Sequence, residues 1–221
     1  MDAKRTWPLL VVYVFIWYAS NVRYNIVNKM LLESLHATVI IAWAQLAFGV
    51  VVAVCLWRCG VLPTPSLSRG DILALVPASM AFAAGQITTQ TALTFGHVSL
   101  THVVKSVEPV VNALVSALLL GDCLNPFTYL TLVPIDLGVC LTANSLGFDV
   151  STLACAMASN VCFALRNVLA SKYGRIGDLG EGPAVRTTNQ LFLLTVLGSA
   201  ISLPFVSDIP VSFAIVIRCI G

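Results

Sequence analysis

Charge is what this 221-residue sequence has least of. Only 10% of its residues are Asp, Glu, Lys or Arg, against about 25% in a soluble domain. So few charges cannot cover a folded surface in water. Disorder is excluded from the other direction: disordered chains are poor in apolar residues, and this one is 58% hydrophobic. Basic runs are missing too, and a net charge of +2 is too small to recruit nucleic acid. The seven cysteines lack metal-like or disulfide-like spacing, so neither a zinc site nor a secreted disulfide scaffold is indicated. Cys55, Cys140, Cys155 and Cys162 sit in apolar stretches, where a free thiol behaves as a small hydrophobe. What remains is a polytopic membrane protein, with a mean hydropathy of +0.91.

A spanning helix needs roughly 20 mainly apolar residues. The candidate spans are Pro8–Leu32, Ala37–Trp57, Ile72–Phe95, Leu100–Leu120, Phe127–Asn144, Leu153–Ser171 and Gln190–Phe205. A last apolar piece, Val211–Ile220, is too short to cross alone. The expected fold class is therefore an all-α transmembrane helix bundle. Connections are short and rich in Gly, Pro, Asn and Asp, as at Leu62-Pro63-Thr64-Pro65 and Gly177-Asp178-Leu179-Gly180. Basic residues set the orientation. Lys4 and Arg5, then Arg58 and Arg69, then Lys172, Arg175 and Arg186 fall on one side, which places the N-terminus on the cytoplasm-like side. The Met-Asp-Ala-Lys-Arg start runs almost directly into a span, with no Ser- and Arg-rich transit segment, so the first span could serve as a signal anchor. Trp7 and Trp57 read as interface anchors, and Asn144 and Asp149 as turn and cap residues.

An internal repeat runs through the chain. Ala19-Ser20-Asn21-Val22 recurs as Ala158-Ser159-Asn160-Val161, an offset of 139 residues. At the same offset Asn28 meets Asn167, Tyr24 meets Phe163 and Ile26 meets Leu165. The first and sixth spans lie five crossings apart, so they must point in opposite directions. That is an inverted-topology repeat, a common plan for secondary transporters with the solute site at the repeat interface. The expected division is a first five-helix repeat over residues 1–146 and the start of a second over 147–221. A complete second repeat would end near residue 285, so the sequence reads as truncated by roughly three spans and is not expected to transport by itself.

Polar residues inside the spans mark the candidate site. An intramembrane Lys costs about 2.5–3.5 kcal/mol on insertion scales and needs a partner, a wet cavity or a role. Lys105 lies on a stripe with Thr101, Glu108, Asn112 and Ser116, spaced for one helix face. Gln86, Thr89 and Gln90 mark the third span, Asn21, Asn25, Asn28 and Lys29 the first, and Asn160, Arg166, Asn167 and Ser171 the sixth. Pro109 should loosen the fourth helix. Arg23, Lys29, Lys105 and Arg166 outnumber Glu108 and Asp136, which favours an anionic solute. A phosphate ester carries about −1.5 to −2 at pH 7 and needs about two cations with hydroxyl or amide donors. Lys105 and Arg166 could supply the charge, and Thr89, Gln86 and His102 the hydrogen bonds. Plainer readings stay open beside these. Lys105 and Glu108 could be a structural ion pair. Lys29 and Arg23 could snorkel to the interface, His102 could be polar glue between helices, and His36 and His97 read as surface residues.

At these residues the sequence resembles the plastid sugar-phosphate/phosphate translocator family, the triose-phosphate transporters of the drug/metabolite transporter superfamily. The resemblance is carried by Trp17-Tyr18 through Asn28-Lys29, by Ser99-Leu100-Thr101-His102-Val103-Val104-Lys105-Ser106-Val107-Glu108-Pro109, by Leu132-Val133-Pro134-Ile135 with Gly138-Val139, and by Ala156-Met157-Ala158-Ser159-Asn160 with Arg166-Asn167-Val168-Leu169. It implies ten spans in two inverted five-span halves, and an antiporter that exchanges inorganic phosphate for phosphorylated three-, five- or six-carbon compounds by alternating access. It also implies that Lys105 contacts phosphate, that Thr89 and Arg166 match family positions, and that Gln86 stands where a family His is expected. A second-half Lys-Arg pair, and the repeat mate of Lys105 near 244, would lie beyond Gly221. The implied membrane is the plastid envelope. The expected partners are the phosphorylated solute, inorganic phosphate and the bilayer, with a homodimer left open. Neither a cofactor nor nucleic acid is expected. The rival readings are a nucleotide-sugar antiporter of the Golgi or endoplasmic reticulum, a seven-helix receptor and an integral-membrane enzyme. The last lacks a nucleophile–base pair or a metal cluster in the sequence.

Overall fold

In hydrocarbon every backbone N–H and C=O must be satisfied within its own segment, so long apolar runs become helices. The computed structural model describes residues 3–35, 37–121, 134, 138, 141, 149–173 and 177–207. Those residues form α1 (Ala3–Leu35), α2 (Thr38–Arg58), α3 (Arg69–Phe95), α4 (Val98–Lys105), α5 (Glu108–Leu120), α6 (Val150–Tyr173) and α7 (Pro183–Ser207). The one extended pairing among them is an isolated bridge between Ser66 and Asp178. The fold is an all-α bundle, as the sequence indicates.

Five helical stretches are long and apolar enough to cross a membrane: Thr38–Arg58, Arg69–Phe95, Val98–Leu120, Val150–Lys172 and Pro183–Val206. They match five of the seven expected spans. The first expected span falls on α1, which has the length at 33 residues. Its second half carries Asn21, Arg23, Asn25, Asn28 and Lys29, which dilute its hydropathy. The fifth expected span, Phe127–Asn144, and the piece Val211–Ile220 lie outside the described residues, apart from isolated helical positions in the former. α7 starts at Pro183, seven residues before the expected Gln190. Proline suits a first helical turn, whose N–H groups have no intrahelical acceptor.

The larger correction concerns the fourth span. The sequence reads as one helix over Leu100–Leu120, but the chain forms two, α4 and α5, with Ser106 and Val107 between them. Pro109 is the cause. It has no N–H for the carbonyl of Lys105, and its ring crowds that carbonyl. The turn tightens instead: Val107 N donates to Val104 O at 3.2 Å, and Val110 N to Val107 O at 2.9 Å.

Caps and loops fix the helix ends. Ser68 and Asp71 form a capping box at the start of α3, with Asp71 N donating to Ser68 Oγ at 3.2 Å and Ser68 N to Asp71 Oδ2 at 2.8 Å. Asp149 caps α6, as expected, accepting from Thr152 N at 2.9 Å. The loop after α2 meets the loop after α6, because Ser66 and Asp178 exchange backbone hydrogen bonds at 3.1 and 3.2 Å. Both basic loops therefore sit at one end of the bundle. With short connections, α1 must start at that end and α6 must finish there, so these two repeat-matched helices run in opposite directions.

The main core joins α2, α3, α6 and α7 through Leu46, Leu75, Phe82, Phe163, Leu193 and Leu194. Small residues let these helices approach closely. A Cβ added at Gly49 would lie 2.8 Å from Thr195 Cγ2, where α2 meets α7, and one at Gly85 would lie 3.0 Å from the Phe163 ring, where α3 meets α6.

Candidate functional site

The break between α4 and α5 opens a polar cavity in an otherwise apolar bundle. The cavity measures about 410 Å³ and is lined by Lys105, Ser106, Glu108, Pro109, Asn112 and Asn167. That volume falls within the usual range for small-molecule pockets, about 300–1,000 Å³. A second groove of about 440 Å³ lies along α1, lined by Leu9, Leu10, Tyr13, Val14 and Trp17. It carries no charged group and fits a lipid-facing surface.

Lys105 is the centre of the polar site. It lies seven residues into α4, about 10 Å along the helix axis, too deep to be read as an interface anchor. Its side chain is 19% exposed, and Glu108, one helical turn on, lies 3.8 Å away. That spacing makes an ion pair and is too long for a hydrogen bond. The shorter contact comes from α6: Lys105 Nζ donates to Ser159 Oγ at 3.0 Å. A weaker one reaches Thr89 Oγ1 of α3 at 3.5 Å. Thr89 spends its own hydroxyl proton on Gly85 O at 2.7 Å, so its lone pairs face the ammonium. The Phe163 ring supplies a π-face 4.4 Å from Nζ. Both sequence readings of Lys105 hold together: it pairs with Glu108, and it borders a cavity.

Arg166 also lies near this ring, 5.5 Å from the centroid of Phe163 and 5.4 Å from that of Phe82. Its guanidinium donates to Asn167 Oδ1 at 2.5 Å. Asn167 in turn donates to Asn112 Oδ1 at 3.2 Å, tying α6 to α5 across the cavity wall. Phe163 thus has two cations near its ring, each drawn to an aromatic face. It is held there by Gly85, which has no side chain to displace it.

The other expected site residues divide. Thr89 reaches Lys105. Gln86 is half-buried on α3 and has no hydrogen bond among the described residues. His102 is exposed on α4 and does not line the cavity. Lys29 is held elsewhere. Its ammonium donates to Leu93 O at 2.7 Å and Gly96 O at 3.0 Å, and lies 3.4 Å from Glu33. It closes the C-terminal end of α3, whose last carbonyls have no intrahelical donor. Asn28 and Gln90, expected on cavity-facing stripes, instead form an amide ring with Gln45. Asn28 donates to Gln90 at 2.9 Å, Gln90 to Gln45 at 2.7 Å, and Gln45 to Asn28 at 2.8 Å. The ring ties α1, α2 and α3 together. Thr101 is buried outside the cavity lining. Trp57 does more than anchor an interface: its indole donates to Asn189 Oδ1 at 2.9 Å.

Sequence reasoning missed Ser159 and Phe163 as site residues, having read Ser159 only as part of the repeat and the resemblance, and Phe163 only as a repeat match. The available signal was spacing. Ser159, Phe163, Arg166 and Asn167 step by four, three and one, which gathers them on one face of α6.

The arrangement holds the Lys105 ammonium, the Glu108 carboxylate, the Ser106 hydroxyl and the Asn112 and Asn167 amides around the cavity, with Arg166 bonded to the lining residue Asn167. Such a set can bind a small anion reversibly. Among the described residues no group of three or more His, Cys, Asp or Glu side chains could hold a metal ion.

Comparison with known proteins agrees with this chemistry. Residues 9–218 match the model of the Triose-phosphate Transporter family. The chain is 39% identical to the chloroplastic phosphoenolpyruvate/phosphate translocator 1 of Oryza sativa subsp. japonica over 158 residues, 71% of this chain and 39% of that protein. It is 34% identical to the phosphoenolpyruvate/phosphate translocator 3 of the same species, over 86% of this chain and 48% of the relative. It is 32% identical to the glucose-6-phosphate/phosphate translocator 1 of Arabidopsis thaliana, over 88% of this chain and 49% of the relative. The matches thus span half or less of each relative's own length. With a family match across almost the whole sequence and a cavity bordered by Lys105 among membrane-length helices, this chain belongs to the Triose-phosphate Transporter family.

Proposed function

We propose that these helices form part of an antiporter of the plastid envelope that exchanges inorganic phosphate for a small phosphorylated carbon compound. The observation that carries this reading is the Lys105 ammonium, deep in a membrane helix and bordering a cavity of about 410 Å³. The relatives' names point the same way, each pairing a phosphorylated compound with phosphate. Lys105 and Arg166 provide two positive charges, and Glu108 offsets one. A phosphate dianion therefore finds a net positive site with amide donors from Asn112 and Asn167 beside it. The opposed directions of α1 and α6 support a division at residue 146 into two inverted repeats, with alternating access between them.

Coupling follows from desolvation. An empty site closed away from water would hold cations in excess of their counter-charge, which is costly. A bound phosphate removes that excess, so closure favours the loaded carrier and transport becomes exchange.

The protein, reconstituted into phosphate-loaded vesicles, is expected to take up external radiolabelled phosphate only against an internal counter-substrate. Lys105→Ala should lower that exchange by about tenfold or more, the scale of one lost charge-assisted contact. Three-carbon and sugar phosphates should compete with phosphate, and nucleoside monophosphates should not. Normal exchange by Lys105→Ala removes the site assignment. Competition by nucleoside monophosphates alone replaces the proposal with nucleotide-sugar exchange.

A further inference from the structure

Two neighbouring side chains of α6 reach the break between α4 and α5, and neither belongs to the cations and donors assigned above. Ser159 and Asn160 are both 0% exposed. Ser159 Oγ accepts from the Lys105 ammonium at 3.0 Å. Asn160 Nδ2 donates to the backbone carbonyl of Val104, one residue earlier, at 2.9 Å. Adjacent helix positions point about 100° apart. One side chain therefore meets the tip of Lys105 while the other meets the backbone that carries it.

The need for such a brace is physical. A proline-broken helix has fewer backbone bonds at the break, and a lysine has four rotatable side-chain bonds. Left alone, the ammonium would sample many positions. Val104 O also accepts the tightened-turn bond from Val107 N at 3.2 Å, so Asn160 grips the carbonyl on which the break turns. The amide spends its donor there and leaves Asn160 Oδ1 without a partner among the described residues. A buried, unpartnered amide oxygen is unfavourable, and such groups call for a purpose other than stability. Thr89 and the Phe163 face complete the enclosure of the ammonium at 3.5 and 4.4 Å.

We infer that Ser159 and Asn160 are positioning residues for the anion-binding Lys105: Asn160 fixes the backbone at the α4–α5 break, and Ser159 fixes the ammonium. The inference rests on the phosphate-site reading for its purpose, but not for its geometry, so two of its readouts need no transport.

The test uses the protein in lipid nanodiscs. Backbone amide exchange is followed over residues 104–111, and acylation of Lys105 by a small neutral amine reagent is followed by mass spectrometry, with Lys29 as internal control. Asn160→Ala should speed amide exchange over 104–111 by about tenfold, with little change in α7. Ser159→Ala removes the contact that holds the amine in its enclosure, so Lys105 should be acylated about tenfold faster, with Lys29 unchanged. Ser159→Thr, which keeps the hydroxyl, should restore the slow rate. In phosphate-loaded vesicles Ser159→Ala should raise the KM for phosphate more than it lowers the maximal rate. Unchanged Lys105 acylation in Ser159→Ala, or unchanged exchange over 104–111 in Asn160→Ala, overturns the inference. Absence of phosphate exchange by the unsubstituted protein overturns the proposed function instead, and the two structural readouts still decide the brace.

Discussion

Lys105 illustrates how a membrane protein keeps an ammonium group buried but usable. A full hydrogen-bonded ion pair with Glu108 would satisfy the charge and leave little reason to bind an anion. The pair is held at 3.8 Å, while the closer contact is a neutral hydroxyl at 3.0 Å. The ammonium is therefore held by a neutral hydroxyl, with its counter-charge set slightly further off. Asp149 shows residue-scale electrostatics at the rim of the bundle. Its carboxylate accepts from the Thr152 hydroxyl and from the Thr152 and Ser151 amides, which holds it below the usual carboxylate range. A lowered folded value means that the cap contributes stability above the unfolded value, and that this is lost as pH falls through the folded value. Thermal melts of the protein and of Asp149→Ala should differ at pH 6, and the gap should narrow as pH falls below the ordinary carboxylate range. A gap that persists at low pH would show that ionisation is not the source.

At the scale of elements, the decisive feature is the interrupted helix. Pro109 could be read from the sequence as loosening the fourth span, because the missing N–H is written in the residue type. The sequence does not show that the interruption would sit against Lys105 and open a cavity there, since that depends on what α6 brings to the break. Pro109→Ala should restore the missing N–H and let one helix run from Val98 to Leu120. The melting temperature is expected to hold, since Pro109 already sits in the first turn of α5, where its missing N–H costs little. Phosphate exchange should fall roughly tenfold, because Lys105 would move out of its enclosure. An equally stable variant with full exchange would show that the break is dispensable.

Across the whole molecule, the two basic loops are stitched together at one end. Asn189, buried in α7, donates to Pro63 O and Leu179 O at 2.9 Å each and accepts from Trp57 at 2.9 Å. Trp57 also packs edge-on against Phe192, with ring centroids 6.2 Å apart. One amide therefore joins two loops and two helices. Asn189→Ala should lower stability by about 2–3 kcal/mol, because it leaves two carbonyls and an indole N–H unpartnered. A melting temperature within a degree of the parent would remove this node from the account.

Composition alone decided that the chain lives in a membrane and is helical, because lipid allows no other use for long apolar runs with so few charges. Residue types also decided the caps, since Ser68, Asp71 and Asp149 act through bonds only three residues long. The 139-residue repeat required α1 and α6 to run oppositely once the crossings were counted. Tertiary structure decided which polar residues share a site. Lys29 stood as a candidate beside Lys105, and Asn28 and Gln90 marked polar stripes of their own, because a stripe on one helix does not say whether a cavity or another helix faces it. The packing of α1 and α2 against α3 turned those three into an end cap and a closed amide ring, while the packing of α6 against the broken helix left Lys105 beside open space.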